Sequence, residues 1–448
     1  MLRAKGAIVM RFGQFPMVSF FAIAATLAAS TAANAQAKPD FVQLGRVSAT
    51  VWKPDSGAAP HIAFLIAHRS ANMLNNVACR EFAKRGFAAV CFNTRYENND
   101  SIVDWEPIAL DVKRAVDYAR TLPGITKVIL VGHSGGSALM SYYQAVAENG
   151  VSYCQGPNKI TQCGPELAGM KPADGIVFPE AHPGDGVQAL RGINPSLSIQ
   201  NGKVAVDSSL DPFDVKNGYN PNGPSHYAPE FRTRYYAAQS KVMNEQLTHV
   251  LALRDRIKSG EGVYPDDDAV LVPFSDQAGA ARLDQMDPSI PEIMSTRRPE
   301  KLLKNDGTIV MQVVKSLEPA HPQQAKRNRT FDDGTKMLTV TSYLSTNAVR
   351  STNSVDGIDH CSNNNSTVCG VQHIKAPTLI AAMGAYHMLR DEEMMYDTSP
   401  AADKDYVVIE GANLNYDGCK PCETTPGQYG NSLKNLFDYI AKWANARF

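Results

Sequence analysis

The first group in this 448-residue chain that could do chemistry is a serine set among glycines. Gly132-His133-Ser134-Gly135-Gly136 lies between an apolar run, residues 127–132 (KVILVG), and a segment of helical composition, residues 136–148. A serine hydroxyl is a weak nucleophile unless a neighbouring base takes its proton. On a sharp strand-to-helix turn, that hydroxyl is lifted above the carboxyl end of a sheet, and small flanking residues let strand and helix approach. The helix that follows also presents backbone N–H groups to negative charge developing on a bound carbonyl. The spacing therefore predicts Ser134 as nucleophile and the Gly135 N–H as one oxyanion donor. A second donor is expected from the turn after residues 61–68 (HIAFLIAH), at Arg69 or Ser70.

The base has several candidates. His387 follows residues 377–384 (PTLIAAMG), and Asp391 comes one helical turn later as a possible acid partner. His182 follows residues 175–178 (GIVF), with Glu180 two positions earlier. His68 ends the strand beside the expected oxyanion loop, and His133 adjoins Ser134 on a side chain the turn should point away. Asp391, Glu392 and Glu393 equally suit the first turn of a helix, where acidic side chains complement the dipole.

The elements that must hold these groups alternate. Residues 61–68, 87–92 (FAAVCF), 127–132 and 175–178 are short apolar runs suited to buried strands. Residues 73–85, 106–122 and 136–148 carry apolar side chains at helical spacing; Ile108, Val112, Ala115 and Ala119 form one such stripe. Near-continuous apolar strands between amphipathic helices predict an α/β fold, a doubly wound and mostly parallel sheet covered on both faces. The rhythm returns at residues 377–384 and 405–410 (DYVVIE) and ends in a helix over 432–447. Between, over residues 183–374, it stops in a stretch rich in proline and asparagine around one long helix, 229–259. So long a connection needs structure of its own. It reads as a cap inserted between two parts of one core, 38–182 and 375–448.

On these motifs the chain resembles the α/β-hydrolase family over nearly all of its mature length, in particular exported bacterial members with a long cap between the sixth and seventh strands. The resemblance implies Ser134 acting through an acyl-enzyme, an acid after a late strand and a histidine after the last one. Ser134 matches that pattern. The histidine does not: residues 411–416 read Gly-Ala-Asn-Leu-Asn-Tyr, and no histidine follows to the C-terminus. The base is therefore displaced, to His387 or His182, or the chemistry differs. The function implied is a carboxylic ester hydrolase acting on a small ester, with a cap large enough to admit a bulky or aromatic one. The alternatives are a lyase or C–C bond-cleaving enzyme without an acyl-enzyme, and a non-catalytic binding protein.

Composition narrows the partners. Forty-four basic and 45 acidic residues leave a formal charge of −1. That balance calls for neither nucleic acid nor an anionic membrane, and leaves a small-molecule substrate as the default. No cofactor is expected. Arg3, Lys5 and Arg11, the apolar run at 17–29 and Ala33-Asn34-Ala35 read as a signal peptide over residues 1–35, with translation starting at Met1 or Met10. The run falls short of the roughly 20 residues a membrane span needs, so a periplasmic or secreted protein is expected. Eight cysteines suit an oxidising compartment. Cys154 with Cys163 and Cys361 with Cys369 could close local loops. Cys419-Lys420-Pro421-Cys422 reads as structural rather than redox, bridged internally or to other cysteines. No metal site is expected, because no second CxxC is present. Asp207, Asp211, Asp214 and Asn217 also lack calcium-loop spacing.

Overall fold

The computed structural model describes residues 39–263, 267–275, 281–321 and 331–448. The expected signal peptide lies outside them. Strands β1 (Asp40–Leu44) and β2 (Val47–Trp52) open the chain as an antiparallel pair. Strand–helix alternation follows: β3 (Ile62–Ile66), α1 (Val77–Lys84), β4 (Ala88–Phe92), α2 (Ala109–Ala119), β5 (Lys127–Val131), α3 (Gly136–Asn149) and β6 (Gly175–Pro179). Helices α4 (Asp185–Gly192) and α5 (Pro229–Lys258) come next, then strands β7 (Glu300–Leu303) and β8 (Ile309–Gln312). The chain closes with β9 (Thr378–Met383), α6 (Leu389–Thr398), β10 (Lys404–Ile409) and α7 (Ser432–Asn445).

One ten-stranded sheet joins these in the order β1-β2-β4-β3-β5-β6-β9-β10-β7-β8. Every strand from β4 across to β7 is parallel to its neighbour. The predicted doubly wound sheet is present. Its central strands are near-continuous apolar runs (IAFLI in β3, VILV after Lys127 in β5) because both faces are covered. Val112 and Val116 of α2 and Leu139 and Val146 of α3 pack on one face. Phe82 of α1 and Leu436, Phe437, Ile440 and Trp443 of α7 pack on the other. Phe82 lies flat on Phe64 of β3, ring centroids 3.8 Å apart. Each such buried side chain contributes about 1.5–3 kcal/mol, enough in sum to hold the strand ends rigidly in place.

Residues 183–374 hold α4, α5 and small antiparallel hairpins, but β7 and β8 within that range return to the main sheet, β7 pairing with β10. Four residues reading EKLL carry too little apolar signal to announce a sheet strand. The cysteines pair as Cys79–Cys91, which ties α1 to β4, Cys154–Cys163, Cys361–Cys369 and Cys419–Cys422. The CxxC is thus bridged internally. Among the described residues no helix is long and apolar enough to cross a membrane.

Parallel strands have one consequence for function: their carboxyl ends share an edge. His68 follows β3, Ser134 follows β5, His182 follows β6 and His387 follows β9, so distant parts of the chain meet above that edge.

Candidate functional site

Ser134 adopts φ +51°, in the left-handed region that residues with a side chain rarely enter. Such a conformation costs about 1–3 kcal/mol and persists only where its surroundings enforce it. Here the Ser134 N–H donates to the Glu180 carbonyl (2.9 Å), Gly136 N–H to His133 O (2.8 Å) and Ser137 N–H to Ser134 O (2.9 Å). The Ser137 hydroxyl donates to Ser134 O and accepts from the His182 N–H. Gly136 is required for a packing reason, since a Cβ there would run into the Ala67 carbonyl. The serine is displayed by a turn clamped from three sides.

Above the turn lies a cavity of about 210 Å³ lined by Ser134, Gly135, His68, Arg69, His182 and His387, with further polar side chains from residues 185–285. Larger surface hollows of about 400 and 650 Å³ hold neither Ser134 nor a histidine. His387 is 3% exposed, and its Nδ1 stands 2.8 Å from Oε2 of Glu318. A carboxylate only accepts, so Nδ1 carries the proton and Nε2 is left with a free lone pair. Glu318 reaches this position because its chain runs along the end of β9, where Leu317 N–H donates to Gly384 O (2.9 Å). Among the described residues the Ser134 hydroxyl makes no hydrogen bond.

The architecture is the α/β-hydrolase fold. Strand order and the clamped turn after β5 decide it. No family model and no curated protein matches the chain. Solved structures similar to it include a hypothetical protein from Pseudomonas aeruginosa, at 14% identity, covering 92% of this chain and 95% of that one, TM-score 0.42. A siderophore hydrolase from Aspergillus fumigatus matches at 11% identity over 93% and 99%, TM-score 0.41. Brefeldin A esterase, a bacterial homologue of human hormone sensitive lipase, matches at 12% over 92% and 76%, TM-score 0.40.

The other sequence candidates fall elsewhere. Asp391 is not on His387: both its oxygens are held by Arg191, at 2.6 and 2.9 Å, in a buried pair. Burial would raise its pKa, but the Arg191 guanidinium holds the carboxyl below its usual range. Glu180 does not meet His182 either; its carboxyl lies on the far side of the turn, 3.9 Å from His133 Nε2. Burial pushes Glu180 well above the usual carboxylate range. His182 spends its Nδ1 lone pair on the Gly184 N–H (3.1 Å), which puts its proton on Nε2. Burial and the Arg69 and Arg282 charges hold the ring neutral, and it has no lone pair left for a base. His133 turns away from the cavity to the Leu414 carbonyl (2.8 Å).

In the turn after β3, one of the two backbone N–H groups expected as a donor is already engaged. Ser70 N–H donates to His68 Nδ1 (3.2 Å), so it is not free. Among the described residues the N–H groups of Gly135 and Arg69 have no partner, and both residues line the cavity. The Arg69 side chain is fixed by Asp185 and Asp100, and Arg282 by Asp284 and Gln188. Glu318, Arg282 and Asp185 were not singled out by the sequence; none sits in a local pattern that marks it.

Behind the turn, the Glu392 carboxyl accepts the Ala181 N–H (2.6 Å), and burial pushes its pKa up to about 8 from the usual 4.5. The folded protein therefore keeps a proton that the unfolded chain has released. That favours folding fully below pH 4.5, and the benefit is lost as pH rises toward 8, at about 1.4 kcal/mol per pH unit. Glu392→Gln keeps a neutral acceptor. Urea unfolding of variant and wild type should agree near pH 5 and diverge by pH 8, with the variant the more stable.

Proposed function

We propose that this protein is a serine hydrolase of small carboxylic esters, working through an acyl-Ser134 intermediate with His387 as base and Glu318 as the acid that orients it. The observation that carries the reading is the 2.8 Å Glu318–His387 hydrogen bond, made by a histidine that lines the same cavity as Ser134. With Nδ1–H bound to Glu318, His387 Nε2 takes the Ser134 proton as Oγ bonds to the ester carbonyl carbon. The carbonyl oxygen becomes an oxyanion held by the Gly135 and Arg69 N–H groups. The ester C–O bond then breaks, and the imidazolium returns the proton to the departing alcohol. Water repeats the sequence on the acyl-enzyme and releases the acid. A histidine after β9 replaces the missing one after β10.

The cavity also bears on the substrate. At about 210 Å³ it is below the roughly 300–1,000 Å³ of sites for drug-sized ligands. Arg69, Arg282, Gln188 and Gln285 line it, with Tyr386 and Met388. A small, polar ester suits this lining better than the bulky aromatic one that cap size suggests. Residues 183–374 act as the cap in this reading, supplying Asp185, Gln188, Arg282 and Gln285 to the wall while β7 and β8 stay with the sheet. Four disulfides support an extracytoplasmic location.

A fluorophosphonate probe tests the reaction class. It should leave one adduct, on the peptide carrying Ser134, and none on Ser134→Ala protein. Folded wild-type protein that takes no label, or takes it elsewhere, removes the serine-hydrolase reading.

A further inference from the structure

The turn after β3 holds a histidine that the relay above does not use. His68 Nδ1 accepts two backbone N–H groups, from Ser70 (3.2 Å) and Ala71 (3.0 Å). An imidazole nitrogen that accepts carries no proton, so the neutral ring bears its hydrogen on Nε2. Burial, followed by the Arg69 charge, lowers the His68 pKa to about 3, and the ring stays neutral at any pH the enzyme would work at. Nε2 lies across the ring from the two donors, on the side of the nucleophile's turn. A Cβ on Gly135 would stand 2.6 Å from His68 Nε2 and 2.7 Å from Arg69 Nη1, so both groups crowd the backbone whose N–H faces the developing charge. His68, Ser134 and Gly135 line one cavity.

We infer that His68 is a catalytic residue, a neutral imidazole whose Nε2–H donates to the substrate's carbonyl oxygen beside the backbone N–H groups of Gly135 and Arg69. The turn that supplies the backbone donor has given its next two N–H groups to the ring, and the ring relays a donor back into the site from its far edge. A neutral donor suits this position. An imidazolium would place a second full charge next to Arg69, whereas a neutral N–H strengthens as the carbonyl oxygen becomes negative and asks for no proton transfer. The Gly135 position is thereby explained as well, because any side chain there would displace the ring.

The inference rests on the serine-hydrolase reading and is tested so that the two can fail separately. His68→Asn keeps an acceptor near the Nδ1 position, and so keeps the cap on the Ser70 and Ala71 N–H groups, but has no donor at Nε2. His68→Gln can place an amide N–H near Nε2 and loses the cap. The two variants and wild type are compared on p-nitrophenyl acetate and its thiono analogue, whose sulfur accepts hydrogen bonds weakly. His68→Asn should lose about 10²–10³-fold in kcat on the oxygen ester. It should lose about tenfold or less on the thiono ester, with its unfolding midpoint kept. His68→Gln should retain more oxygen-ester activity than His68→Asn, even where its stability is lower. If His68→Asn stays within about threefold of wild type on the oxygen ester, or loses the same factor on both esters, His68 only caps the turn and the inference is overturned. If wild-type Ser134 takes no phosphonate, both this role and the reaction class fall together.

Discussion

Replacing Ser134 with alanine should lower kcat for a small ester by about 10⁴-fold or more, the scale on which a hydrolytic relay fails when its nucleophile is deleted. The residual rate would come from the oxyanion donors and from binding, which the substitution leaves in place. The fold should be little affected. The Ser134 side chain makes no hydrogen bond among the described residues, and the turn is enforced by the backbone of Glu180, His133 and Ser137, which alanine keeps. Steady-state kinetics with a urea unfolding curve on the same preparation separates the two effects. Turnover near the wild-type rate in folded Ser134→Ala would exclude an acyl-enzyme and favour a reaction in which the serine only positions its substrate.

The second large effect distinguishes Glu318 from Asp391, the acid that sequence spacing offers. Glu318→Gln should cost about 10³–10⁴-fold in kcat. A glutamine amide can donate to His387 Nδ1, which moves the ring proton to Nε2 and removes the lone pair that would accept from Ser134. His387→Ala should fall by a similar factor, and the pair combined by little more, because each removes the same relay. Asp391→Asn should behave differently. It breaks the buried Arg191–Asp391 pair and leaves the guanidinium uncompensated, so it should cost about 3–5 kcal/mol in stability. The kcat of the protein that remains folded should change far less than in Glu318→Gln. A reversal, with Asp391→Asn inactive and Glu318→Gln unaffected, would reassign the acid.

What could be read from the chain follows how local each signal is. The turn at Ser134 was legible because strand, glycines and helix adjoin in one stretch, residues 127–148, and the buried strands because each is a contiguous apolar run. His387 could be shortlisted because a residue just past a parallel strand must lie at the sheet's carboxyl edge. Its partner could not. Glu318 lies 69 residues earlier in a proline-containing stretch and arrives by a backbone pairing between Leu317 and Gly384, which no periodicity foretells. Asp391 looked close because it follows by one helical turn. However, α6 begins only at Leu389, and the carboxylate has a stronger claim from Arg191, which comes from the inserted segment. The same distance hid Arg282 and Asp185. Ser70 was an even choice with Arg69 in the sequence, and only the orientation of the His68 ring shows that its N–H is already taken.

A crystal structure of the phosphonate adduct would bear most directly on the displaced histidine as base. Phosphorus bonded to Ser134 Oγ, His387 Nε2 within about 3 Å of the adduct's oxygens and Nδ1 still on Glu318 is the predicted arrangement. An adduct on Ser134 with His182 as the nearest ring nitrogen, or with His387 turned out of reach, would contradict it.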